Sequence, residues 1–167
     1  MADESKARLT PTHMHQIYIR APAGQIWDAI TSPDWSVQYG YRAIYDYDLR
    51  AGGKFYGRPN EMMRGMGLPD PMIDGEVIEA KPPFKLVQTY RFLFSKENEA
   101  EGFTRVTFEI EDTGQGFCRL TITHELEGAP LMAGATSSNF NVRGSGGWDW
   151  ILSDLKSLLE TGKTLSG

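Results

Sequence analysis

One stripe of apolar residues near the C-terminal end constrains this chain more than any other feature. In the segment Gly147–Glu160, Trp148, Ile151, Leu152, Leu155, Leu158 and Leu159 recur at three- and four-residue spacing. That spacing puts them on one face of a single long amphipathic helix. Most of the sequence between Met14 and Glu125 instead reads as strands, with two short helices. A long helix with one apolar face needs a surface to lie on, and a curved antiparallel sheet is the natural one. A sheet wrapped round a helix tends to enclose a space, and function is expected there.

The 167 residues suffice for one domain that buries a real core without staples. The pattern predicts a flexible tail over residues 1–12, a single domain over 13–162 and a short tail over 163–167. Acidic residues outnumber basic ones 22 to 17, for a net charge of −5, and no Lys/Arg cluster interleaves with aromatics. That argues against nucleic acid and anionic membrane surfaces as partners. The single cysteine, Cys118, cannot form an internal disulfide and suits a reducing cytoplasm. The polar start of the chain does not read as a signal peptide, and no stretch approaches the roughly 20 apolar residues that span a bilayer. A cytoplasmic protein is the expectation.

Along the chain, His13 to Arg20 alternates as a strand, with His15, Ile17 and Ile19 on one face. Ala21-Pro22 opens a helix carrying Ile26, Trp27 and Ile30, which Thr31-Ser32-Pro33 breaks. A shorter helical piece then covers Asp34 to Tyr39. Strands are predicted over Arg42–Leu49, Lys54–Arg58, Met72–Glu79, Phe84–Phe94, Thr104–Glu111 and Phe117–Glu125. A charged turn is expected from Lys96 to Gly102, and a helix end at Gly162. Two long connections remain. Pro59 to Pro71 carries Met62, Met63 and Met66, and Leu126 to Gly147 carries Phe140 and the run Gly144-Ser145-Gly146-Gly147. Long irregular segments of this kind serve as lids or as plain connections, and adaptable methionine side chains favour a lid.

Period-two alternation assigns strand faces. Leu86, Gln88, Tyr90, Phe92 and Phe94 share the inner face of the longest strand, with Val106, Phe108 and Ile110 on the next. Cys118, Leu120, Ile122 and His124 follow on the last. The predicted cavity lies between the terminal helix and the sheet, lined by Tyr45, Phe55, Tyr90, Phe92, Phe108, His124 and Trp148. Gln88 adds a second polar anchor. Apolar walls would supply affinity while sparse polar groups fix the pose. Each residue has a plainer reading as well: His124 as a core histidine bonded to a neighbour, Trp27 and Trp148 as core anchors, Gln88 and Tyr90 as structural groups. His13 and His15 are a two-residue pair without accompanying Cys or acidic ligands, so no metal site is assigned. No Gly-x-Ser-x-Gly, phosphate loop, His-Glu-x-x-His or dinucleotide fingerprint occurs, and no nucleophile with a base is visible. No catalytic residue is assigned; His124 is the candidate if the protein is an enzyme. No cofactor is called for.

The order of strand, two helices, about six or seven antiparallel strands and a long C-terminal helix resembles the α+β helix-grip fold of the START / Bet v 1-like (SRPBCC) superfamily. Particular stretches are similar to one branch, the activator of heat shock protein 90 ATPase homologues: Ile19–Thr31, Asp48–Phe55, Asp74–Pro83, Leu86-Val87, Arg105–Phe108, Leu120–Glu125 and Gly147-Trp148. The resemblance runs from about Ile17 to Thr161, and the two long loops depart from it. It implies a fold with an internal pocket and no shared catalytic motif. Relatives in the wider superfamily bind lipids, steroids or polyketides, and some cyclise or dehydrate them, so fold alone does not settle activity. The leading reading is a binder of a small hydrophobic or amphipathic molecule. The alternatives are an enzyme of cyclase, dehydratase or hydrolase type acting on a hydrophobic substrate, and a protein-interaction or co-chaperone-like module. A homodimer would fit any of them.

Overall fold

The computed structural model describes residues 11–137 and 146–167. Phe140, the Gly144-Ser145 part of the glycine run and the first ten residues of the predicted tail lie outside the described residues.

Seven strands form one antiparallel sheet: β1 (Thr12–Ile19), β2 (Ile44–Tyr47), β3 (Lys54–Arg58), β4 (Ile73–Lys81), β5 (Lys85–Phe92), β6 (Thr104–Asp112) and β7 (Cys118–Glu125). Their spatial order is β1-β7-β6-β5-β4-β3-β2. Every pair is antiparallel, and the chain leaves β1 at one edge to resume with β2 at the other. The link between those edges holds helices α1 (Ala23–Thr31) and α2 (Pro33–Ser36). Proline sits where helix geometry tolerates it: Pro22 caps α1 and Pro33 opens α2.

Period-two faces hold throughout the middle of the sheet. Leu86, Gln88, Val106, Leu120 and His124 are fully buried, and Tyr90, Phe108, Ile110, Cys118 and Ile122 nearly so. Against this face lies the long terminal helix. It runs over Gly147–Thr161 and stops at Gly162, whose φ of 78° is the left-handed conformation glycine adopts without strain. Trp148, Leu152 and Leu155 are buried in the core, with Ile151, Leu158 and Leu159 packed partly against it. The helix also carries Asp154, wholly buried, whose carboxylate accepts from the backbone N–H of Gly40 at 2.8 Å and of Leu165 at 2.7 Å. It ties both neighbouring segments to the helix.

Three further helices occupy stretches read above as turn or loop, and they complete the numbering α3 to α6 with the terminal helix last. Helix α3 (Glu61–Gly65) lies in the methionine segment, α4 (Lys96–Glu101) replaces the charged turn, and α5 (Pro130–Thr136) lies in the second long connection. The reason is local in the first two. Asn60 Oδ1 accepts from the Met63 N–H at 2.9 Å and Ser95 Oγ from the Asn98 N–H at 3.1 Å, both side-chain N-caps. Helix α5 is held from outside: the Glu101 carboxylate accepts from the backbone N–H of Leu131 and Met132, at 2.8 and 2.9 Å.

Strand ends differ from the predictions where backbone geometry intervenes. β2 starts later than expected, at Ile44, because Arg42 takes a φ of 61° that strand pairing excludes, and it ends earlier, at Tyr47. β5 stops at Phe92, leaving Phe94 beyond the ladder and half-exposed. β4 runs further, to Lys81, with a register shift between Val77 and Glu79. Early in β4, Gly75 lies so close to β5 that a Cβ would stand 2.0 Å from the Thr89 carbonyl oxygen.

Candidate functional site

The space between sheet and terminal helix divides in two. Under the middle of the helix it is almost filled. A void of about 30 Å³ remains, walled by residues that include Phe55, Tyr90, Phe108, Leu120, Ile122, Trp148, Leu152 and Leu155. Towards the first turn of the helix it opens into a cavity of about 310 Å³. Its walls are Tyr41, Ala43, Tyr45, Met63, Leu68, Met72, Ile73, Tyr90, Phe92, Phe94, Ala135, Thr136, Gly147, Trp148 and Ile151. The cavity is therefore roofed by α3, α5 and α6, and floored by the β2–β5 half of the sheet.

Of the residues expected to line a cavity, Tyr45, Tyr90, Phe92 and Trp148 do line the larger one. Phe55 and Phe108 instead wall the small void. Gln88 and His124 are fully buried and line neither. Among the expected lid residues Met63 reaches the cavity, whereas Met62 and Met66 are about 70% exposed.

His124 is tied on both sides. Trp148 Nε1–H donates to its Nδ1 at 3.1 Å. Because an indole can only donate, Nδ1 must be the lone-pair nitrogen, so Nε2 carries the proton and donates to Thr104 Oγ1 at 2.7 Å. The Thr104 hydroxyl in turn donates to the Tyr90 carbonyl at 2.9 Å. Burial, with smaller contributions from nearby His13 and His15, pushes the ring's pKa down to about 3. A ring with both nitrogens engaged and no charge across the physiological range is a strut. The chain Trp148–His124–Thr104–Tyr90 locks the indole and the sheet together at the cavity wall.

Gln88 plays a similar part. Its Oε1 accepts from the Tyr47 hydroxyl at 2.6 Å, and its amide lies 3.4 Å from the Thr89 carbonyl. Tyr39 Oη donates to the Ala29 carbonyl at 2.7 Å. Aromatic rings then run inward from β2: Tyr47 stacks on Phe55 at 4.5 Å between centroids, and Phe55 on Tyr90 at 6.0 Å. His15, on β1, hydrogen-bonds Asp149 Oδ1 through Nδ1 at 2.7 Å, and neither residue is part of the larger cavity's lining.

Tyr41, Ala43, Met72, Ile73 and Phe94 were not anticipated as walls. A signal existed for the first of these, since Tyr39, Tyr41, Tyr45 and Tyr47 crowd four phenols into nine residues. Ala135 and Thr136 carried none: small residues in an irregular stretch become walls only because Glu101 and the helix start bring α5 there. Gly147 marks the tightest part of the site. It has φ +58°, and a Cβ on it would lie 2.3 Å from the Thr136 carbonyl oxygen. Only glycine lets α5 and α6 meet so closely.

The sequence pattern of the Activator of Hsp90 ATPase homolog 1-like proteins matches residues 20–160. The chain belongs to this family. No curated protein matches the sequence significantly. Among solved structures, CalU16 from Micromonospora echinospora superposes with a TM-score of 0.62 at 18% identity, over 90% of this chain and 77% of that one. The Aha1 dimer from Colwellia psychrerythraea gives 0.62 at 20%, over 91% and 98%. An HSP90 activator from Plasmodium falciparum gives 0.55 at 20%, over 93% and 91%. At these identities the likeness is one of fold, and the helix-grip architecture of the family is the architecture of this chain. No helix among the described residues is long and apolar enough to cross a membrane.

Proposed function

We propose that the protein binds a small hydrophobic or amphipathic molecule in the 310 Å³ cavity under the first turn of α6. The observation that carries the reading is the cavity itself: predominantly apolar and aromatic walls around a volume at the lower end of ligand pockets, about 300–1,000 Å³. A packed interior leaves few voids larger than a water molecule, so an opening of this size costs cohesion that an occupant would restore. Binding is favoured over catalysis because His124, the candidate acid or base at the cavity wall, has both nitrogens engaged within the protein.

Native mass spectrometry of the purified protein is expected to reveal a co-purifying mass, and a panel of hydrophobic compounds to raise the melting temperature. The control is Ala135→Trp, which fills the cavity at its exposed rim. It is expected to abolish both effects while keeping the far-UV spectrum. Undiminished ligand uptake by this variant would refute the assignment.

A further inference from the structure

We infer that the cavity selects an uncharged molecule carrying a hydrogen-bond-accepting oxygen (ketone, quinone, ester or ether) on a flat apolar frame. The inference rests on the cavity being the binding site and concerns what it admits. The lining contains no Asp, Glu, Lys, Arg or His among the described residues. Among those residues a buried carboxylate or ammonium would find no counter-charge, and an unpaired buried charge is strongly disfavoured.

The polar groups that do reach the lining are hydroxyls and one indole N–H, and they are not equivalent. Thr136 Oγ1 is spent on the Met132 carbonyl at 2.8 Å, and Trp148 Nε1 on His124. Tyr39 and Tyr47, outside the cavity lining, each donate to a protein oxygen. By contrast, the hydroxyls of Tyr41, Tyr45 and Tyr90 have no acceptor among the described residues. Tyr41's oxygen lies by the backbone amides of Gly146 and Gly147, which leaves its proton free to donate. Burial raises the pKa of all three, that of Tyr45 to about 12, so they stay protonated as donors. Three spare donors around an uncharged apolar space ask for oxygen lone pairs on the ligand.

The rings also set the shape. Tyr90 is held by neighbours at 5.6 Å (Phe92), 5.9 Å (Trp148) and 6.0 Å (Phe55), so its hydroxyl is placed in advance. A cavity of about 150 Å³ holds benzene. One twice that size admits two fused rings with a substituent.

Four probes on one naphthalene frame test this by isothermal titration: 2-acetylnaphthalene, 2-ethylnaphthalene, 2-naphthoate and trimethyl(2-naphthyl)ammonium. The ketone is expected to bind at least about tenfold tighter than the ethyl compound, the size of one hydrogen bond, and tighter than either ion. That order opposes hydrophobicity, which favours the ethyl compound. Tyr41→Phe/Tyr45→Phe/Tyr90→Phe, with melting temperatures as a folding control, is expected to erase the ketone's advantage over 2-ethylnaphthalene. Equal or tighter binding of the ethyl compound by the wild type overturns the inference but leaves the binding reading standing. Tightest binding of the naphthoate or the ammonium overturns it in favour of a charged ligand. Binding of none of the four overturns both for ligands of this size.

Discussion

Trp148 can donate through its indole and cannot accept, and this one-sidedness decides the state of His124. If the imidazole gained a proton, Nδ1–H would face Nε1–H across 3.1 Å, and the Trp148–His124 bond would be lost although Nε2–H could still donate to Thr104. The unfolded ring takes up its proton near pH 6.5, the folded one only at about 3. Between those values the unfolded state binds more protons, so stability falls as pH drops from 6.5 towards 3, by up to ~1.4 kcal/mol per unit from this group. Denaturant midpoints at pH 7 and 4.5 are expected to fall further for wild type than for His124→Gln; parallel losses would remove the ring as the cause. Alternation along β7 was enough to put His124 on the inner face. It could not say whether that face meets a void or a packed neighbour, because both lie in the same direction from the strand. Which of the two obtains depends on Trp148, 24 residues further on.

Among the elements, the strands and the terminal helix were legible because their periods are long enough to count. The short helices were legible only at their starts. Asn60 and Ser95 are ordinary N-cap residues, yet each precedes so few residues that a turn and a helix share one sequence pattern. Helix α5 had no such signal, since its first N–H groups are satisfied by Glu101 from a distant element. That latch is also the support of the cavity roof. Glu101→Ala is expected to cost only ~1 kcal/mol of global stability, because the pair of bonds is largely exposed. Amide exchange over Pro130–Thr136 is nonetheless expected to quicken at least tenfold; unchanged protection there would show that packing against α6 alone holds the helix.

For the molecule as a whole, the sheet carries little of the site's variability. Strand order and register follow from alternation and turn spacing, while the cavity's volume depends on where α3, α5 and α6 come to rest. Ligand saturation is therefore expected to slow exchange over Glu61–Gly65 and Pro130–Thr136, with the β5–β7 core unchanged, and equal exchange with and without ligand would leave those helices as fixed walls. The two interior spaces also share a partition: Tyr45, Tyr90, Trp148 and Ile151 face both. Trp148 is pinned by its bond to His124 and Tyr90 by the rings packed round it. Tyr45 stands on the short edge strand β2 with its hydroxyl unheld. The partition thus has a hinge side. A molecule too long for the outer chamber is expected to swing that one ring and occupy the inner void, so that chain length is gauged by how much of the core a guest must displace.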